Sequence, residues 1–206
     1  MHSLVYLTDC DAATAECTSM TNLRDLPSDL PVPQDDGAAA HLPGLDVPPV
    51  TLPSTGGNDV GLSGLPGRTV LYAYPMTGQP DGTLPSDDWD TIPGARGCTP
   101  EACAFRDHHG ELKELGAEVF GLSTQPTGYQ REVVERLHLP FAILSDAGFA
   151  LTDALNLPTF EAAGMRLLKR HTLVIGDGRI EHVFYPVFPP DGHAEEVLTW
   201  LRGNQV

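Results

Sequence analysis

The sequence predicts an α/β domain, a central mixed β-sheet flanked by helices, with an extended N-terminal arm in front of it. Three observations point there. Short β-branched and aromatic runs alternate with stretches of helical period through the middle of the chain. A hairpin signal, Gly176-Asp177-Gly178, and an amphipathic segment close it. The first forty-odd residues instead hold prolines and aspartates with few large apolar groups, a composition poorly suited to building a core.

The elements follow in order. Pro27, Pro31, Pro33, Pro43, Pro48, Pro49 and Pro53 remove backbone donors, so residues 1–44 are expected to form an extended or poorly ordered acidic arm and 45–206 the folded domain. Met20 offers an alternative start inside the arm. Residues 69–74 (TVLYAY) follow the turn Pro66-Gly67 and stop at Pro75, as a buried strand does. Residues 76–97, rich in Gly, Pro and Asp around Trp89, read as a long loop. Thr99-Pro100 reads as a hydroxyl N-cap followed by a first-turn proline, with Ala102, Phe105, Leu112 and Leu115 at helical spacing behind it. Strands are expected at 117–122 and 141–144, helices at 129–137 and 149–155, a hairpin across 172–185 and a last helix at 194–201.

Bulk composition narrows the function classes. The chain has 206 residues, 41% of them apolar, which suits one domain with a sizeable core. Twelve basic against 28 acidic side chains give a formal charge of −16, a sign that repels phosphate backbones and anionic membrane surfaces. No apolar run approaches the roughly 18 residues of a membrane span, and no basic start precedes the N-terminal apolar patch as a secretory signal requires. The expectation is a cytoplasmic protein with no nucleic-acid or membrane partner. Four cysteines are too few for a disulfide scaffold, which leaves catalysis or metal binding as uses for closely spaced ones.

Cys98 and Cys103 are such a pair. Cys98 stands where a helix begins, and unpaired amides with the positive end of the helix dipole favour an anion there. At a reference pKa near 8.5 only about 3% of a thiol is ionised at pH 7, against roughly 90% at a pKa of about 6. In an intact helix, Cα atoms five residues apart lie about 8.7 Å from each other, whereas a disulfide needs about 4.4 to 6.8 Å. A resting bridge is therefore disfavoured, and a transient one requires the first turn to unwind. Other readings stay open: a buried small hydrophobe, a zinc ligand at poor spacing, or a hydrolase nucleophile served by His108 or His109. No cofactor is implied.

The stretch from Leu45 to Leu201 resembles the peroxiredoxins, nearest the Q-type (bacterioferritin comigratory protein-like) branch. Gly97-Cys98-Thr99-Pro100-Glu101-Ala102-Cys103-Ala104-Phe105-Arg106-Asp107 is similar to that branch's active-site helix. Residues 45–75 resemble its opening hairpin and first core strand, and 170–180 the strand that brings its active-site arginine. The resemblance implies a thioredoxin-like fold and a peroxide reductase. Cys98 matches the peroxidatic cysteine, Cys103 the resolving cysteine and Arg170 the arginine beside the thiolate. A peroxide would be the substrate and thioredoxin or a similar dithiol the reductant. The branch leans towards monomers, with a weak homodimer as the alternative.

The sequence departs from the family in one place. The proline and the Thr or Ser that the family carries seven and three residues before the cysteine are replaced by Thr91 and Ala95, and about twenty residues separate Pro75 from Cys98. Either Ile92-Pro93-Gly94 substitutes for the lost segment, or a hydroxyl from Thr77, Thr91 or Thr99 folds back. Thr99, Thr91 and Pro93 are therefore the expected substrate-binding residues. A one-cysteine peroxidase served by an external thiol and a non-catalytic redox sensor remain as alternatives. Cys10 and Cys17 have no counterpart in the family.

Overall fold

The computed structural model describes residues 26–205. Its centre is a five-stranded sheet of order β5-β4-β3-β8-β9. The strands are β3 (Arg68–Ala73), β4 (Ala117–Ser123), β5 (Ile143–Ser145), β8 (His171–Gly176) and β9 (Arg179–Phe184). β3 runs parallel to β4 and antiparallel to β8; β4 is parallel to β5, and β8 antiparallel to β9. This is the mixed α/β, thioredoxin-like arrangement that the sequence predicts.

Alternation along the strands decides which layer lies on which face. Val70, Tyr72 and Tyr74 point to one side and pack with α1 (Cys98–Asp107), α2 (His109–Glu114), α3 (Thr127–Leu137) and α5 (His193–Gly203). Leu71 and Ala73 point to the other, against α4 (Ala150–Leu155) and the segment that leads into β3. The single helix expected after residue 99 is two: His108 takes φ −96° and ψ 4°, which ends α1 and starts α2. Two small hairpins complete the fold: β1 (Thr51–Leu52) with β2 (Val60–Gly61), and β6 (Thr159–Ala162) with β7 (Met165–Leu168).

Core packing begins ahead of residue 45. Ala39 and Leu42 are buried at 4% and 0% exposure, inside the cluster that holds Leu71, Leu155 and Leu173. His41 Nε2 lies 2.9 Å from the carbonyl oxygen of Leu155. Asp36 pairs with Lys169 and accepts a hydrogen bond from Tyr185 (2.6 Å), contacts that hold its carboxyl well below the usual carboxylate range. Proline content hid this, because the segment docks through isolated apolar residues between turns and shows no period. The remainder of the expected arm, including Cys10, Cys17 and Met20, lies outside the described residues. Among the described residues no helix is long and apolar enough to cross a membrane.

Replacing Leu42 by Ala is expected to cost about 2–5 kcal/mol of unfolding free energy, as for a buried leucine elsewhere. Urea denaturation measures it. A loss below about 0.5 kcal/mol would show the segment to be a dispensable arm.

Candidate active site

Gly97 fixes where α1 begins. Its φ of +108° is open to glycine and strained for other residues, and a Cβ there would lie 2.3 Å from Cγ of Pro190. Gly97, not Thr99, is thus the N-cap, and Cys98 is the first helical residue. Pro100 falls at the third helical position, where an amide has no acceptor within the helix and its absence removes no bond. The whole first turn, residues 98–102, is buried. Cys98 is 3% exposed and Cys103 half-buried; both thiols are free.

Arg170, 3% exposed, lies between β7 and β8 and reaches under the helix start. Its Nη2 donates to Cys98 Sγ at 3.2 Å and to the carbonyl oxygens of Gly94, Ala95 and Arg96 at 3.3, 3.3 and 3.2 Å. Its Nη1 forms an ion pair with the fully buried Glu101. One guanidinium therefore faces two acids. Burial pushes the Cys98 thiol up; Arg170 pulls it down and the Glu101 carboxylate pushes it up again. Hydrogen bonding from the Met76 amide and the orphan amides of the first turn add to Arg170's pull. Glu101 is itself raised by burial, against Arg170 and His193. Ionising both acids leaves an uncompensated negative charge beside Arg170, so the two compete for one counter-ion.

Residues 76–97 cover this centre. Trp89, 2% exposed, packs with Ala95, Ala162 and Leu167, which docks the segment onto the β6–β7 hairpin. Cys98 opens onto a depression walled by Met76, Gly78, Leu84, Trp89, Arg96 and Thr99, about 10 Å³ in volume. That is room for about one water molecule.

The structure brings Cys98, Arg170 and Thr99 together and leaves Cys103 one and a half turns along the helix. Arg106 Nε pairs with Asp107 at 2.8 Å, and its Nη1 donates to the Leu137 carbonyl at 2.9 Å. Two expected substrate-binding residues fall elsewhere. Thr91 is exposed and its hydroxyl donates to the Asp88 carbonyl at 2.7 Å, bracing the short 3-10 turn Trp89–Thr91. Pro93 is exposed and lines a different groove, of about 240 Å³, together with Pro33, Ile92, Phe160 and Arg170. The Thr77 hydroxyl donates to Gln125 Oε1 at 3.1 Å. Backbone groups also serve the site: the carbonyls of residues 94–96 accept from Arg170, and the Met76 backbone helps to lower the Cys98 thiol. Backbone donors leave no mark in a sequence. His108 pairs with Glu111 at 2.8 Å and the His109 ring packs 5.7 Å from Phe141, so neither serves Cys98. Glu101 carries more than its place near the helix dipole suggested. Its spacing of three from Cys98, one turn on the same face, was the available signal.

The Redoxin family model matches residues 42–198. Peroxiredoxin Q, chloroplastic, of Sedum lineare is 33% identical over 161 residues, 77% of each chain. Peroxiredoxin Bcp of Escherichia coli (strain K12) is 31% identical over 160 residues, 75% of this chain and 92% of that one. The crystal structure of peroxidoxin BcpB from Mycobacterium tuberculosis superposes with a TM-score of 0.65 at 30% identity, covering 81% of this chain and all of that one.

Competition for Arg170 has a sign that can be measured. Glu101→Gln removes the acid that raises Cys98, so the thiol should titrate at lower pH than in the unsubstituted protein. Arg170→Met removes the opposing cation and should move it to higher pH. The pH dependence of Cys98 alkylation by iodoacetamide reads both shifts, and shifts of the same sign would refute the shared counter-ion.

Proposed function

The chain belongs to the Redoxin family, as a thiol-dependent peroxidase of the peroxiredoxin Q/Bcp kind, and we propose that its reaction runs through Cys98, Cys103 and Arg170. The observation that carries this is the 3.2 Å contact of Arg170 Nη2 with a buried cysteine sulfur at a helix start. A fixed guanidinium there aims the sulfur and favours its thiolate against the burial and the Glu101 charge that push the thiol up.

The Cys98 thiolate attacks the terminal oxygen of the peroxide. The O–O bond breaks, sulfur is oxidised to the sulfenic acid, and the departing oxygen takes a proton and leaves as water or an alcohol. Cys103 then attacks the sulfenic sulfur, forming the Cys98–Cys103 disulfide and releasing water. α1 is intact in the reduced protein, so this second step needs its first turn out of the pocket, which also parts Glu101 from Arg170. A dithiol protein of the thioredoxin type returns both cysteines to thiols by exchange, thiolate attack on one sulfur releasing the other. Thr99 walls the reactive depression, whereas Thr91 and Pro93 have no part in it.

Peroxide consumption coupled to thioredoxin, thioredoxin reductase and NADPH tests the assignment. Cys98→Ser is expected to abolish turnover. Cys103→Ser should react once per chain to a sulfenic acid and then stall. Sustained thioredoxin-dependent turnover by Cys103→Ser would replace the internal disulfide with an external resolving thiol. Turnover surviving Cys98→Ser would remove Cys98 from the reaction.

A further inference from the structure

Gly97 is held from two sides. Pro190 meets it from the short 3-10 turn Pro190–Gly192, and Leu26 meets it from the start of the described chain, with Cδ2 3.3 Å from where a Cβ on Gly97 would lie. Pro33 packs in the same way on Gly94, its Cβ 3.6 Å from the corresponding position. Both glycines are left-handed, with φ +78° at Gly94 and +108° at Gly97, so they bracket the bend that leads into Cys98. Unwinding the first turn of α1 has to swing this bend, and residues 26–36 lie across both of its pivots.

That segment is attached by side chains. Among the described residues, 26–36 belong to no helix or strand and take part in no backbone–backbone hydrogen bond. Leu26 is half-buried, Val32 is exposed, and the firm anchor is Asp36, which pairs with Lys169 and accepts from Tyr185. A stretch held by a few side chains and no ladder opens locally at low cost. Pro27, Pro31 and Pro33 limit the freedom it gains on release, which favours docking again. It also lies ahead of residue 42, where the Redoxin match begins.

We propose that residues 26–36 are a clasp on the second step of the cycle, with Leu26 a positioning residue that acts through Gly97. Docked, the clasp keeps oxidised Cys98 in its pocket; released, it lets the first turn unwind towards Cys103. This rests on the reading of Cys103 as the resolving thiol. Two fates then compete for the sulfenic acid. The Cys103 thiol attacks its sulfur, giving the disulfide and water. Alternatively the sulfenic sulfur attacks a second hydrogen peroxide, takes up one oxygen as the O–O bond breaks, and gives the sulfinic acid and water. By delaying the first fate, the clasp sets how much peroxide the protein survives.

Quenched-flow mixing of the full chain with hydrogen peroxide follows both steps, with sulfenic acid trapped by dimedone and products weighed by mass spectrometry. Leu26→Ala should form the disulfide about threefold faster or more, while sulfenic acid forms within about twofold of the unsubstituted rate. Half-conversion to the sulfinic acid should need more peroxide in the same proportion. Asp36→Asn loosens the anchor at Lys169 and should move the disulfide step the same way; it carries the test should Leu26→Ala fail to fold. Val32→Ala, in the same segment but exposed, should move neither step. One rate of disulfide formation in every variant would overturn the clasp. Equal slowing of both steps in Leu26→Ala would mark a general structural loss and overturn it too. If the unsubstituted protein forms no Cys98–Cys103 disulfide, the reading of Cys103 falls first, and the clasp with it.

Discussion

The structure depends on keeping one helical turn buried around one guanidinium. Residues 98–102 are packed away from solvent, yet they include a thiol and a carboxyl that must each be able to hold a charge. Arg170 makes this tolerable, bridging Cys98 and Glu101 from a position between two strands. Much of the rest serves that bridge. Gly97 lets the chain turn into the helix against Pro190. Carbonyls of residues 94–96 share the remaining hydrogen of Nη2. Asp36, from the segment ahead of the sheet, ties down Lys169 next to the arginine.

The same burial sets the cost of the second half of the proposed cycle. Sulfenic acid can form with the helix standing, but the disulfide cannot, because the two cysteines stand about 8.7 Å apart along the helix. Unwinding exposes buried groups and breaks the ion pair under the turn. In that proposal the expense keeps Cys98 in the pocket until oxidation changes its contacts. An oxidised sulfur no longer offers Arg170 a full negative charge, so the clamp on the first turn weakens at the point in the cycle when it has to open. Slow unwinding would also lengthen the life of the sulfenic acid, and with it the exposure to a second peroxide.

Sequence reasoning reached the sheet through short β-branched and aromatic runs at 69–74 and 117–122 and the hairpin signal across 172–185, and it reached the cysteine pair through spacing and a helix start. It found Arg170 through resemblance to a family alone, since an arginine at a strand start has no physical signature. It missed the β6–β7 hairpin, whose short strands carry mixed polar and apolar residues. It placed the domain boundary late because Ala39 and Leu42 enter the core singly. Of the hydroxyls it weighed, those of Thr77 and Thr91 bond elsewhere and Thr99 walls the depression, while the carbonyls that hold Arg170 belong to the backbone, which every residue carries and no pattern reveals.

Peptide-level hydrogen exchange across residues 97–107, before and after one equivalent of hydrogen peroxide, tests the central claim most directly. The buried, clamped turn predicts slow exchange in the reduced protein. It predicts loss of that protection over the first turn once the Cys98–Cys103 disulfide forms, with the later turns of α1 less affected. Fast exchange at 98–102 in the reduced protein would contradict a held turn. Unchanged protection in a protein whose two cysteines are shown to be linked would contradict the unwinding on which the account rests.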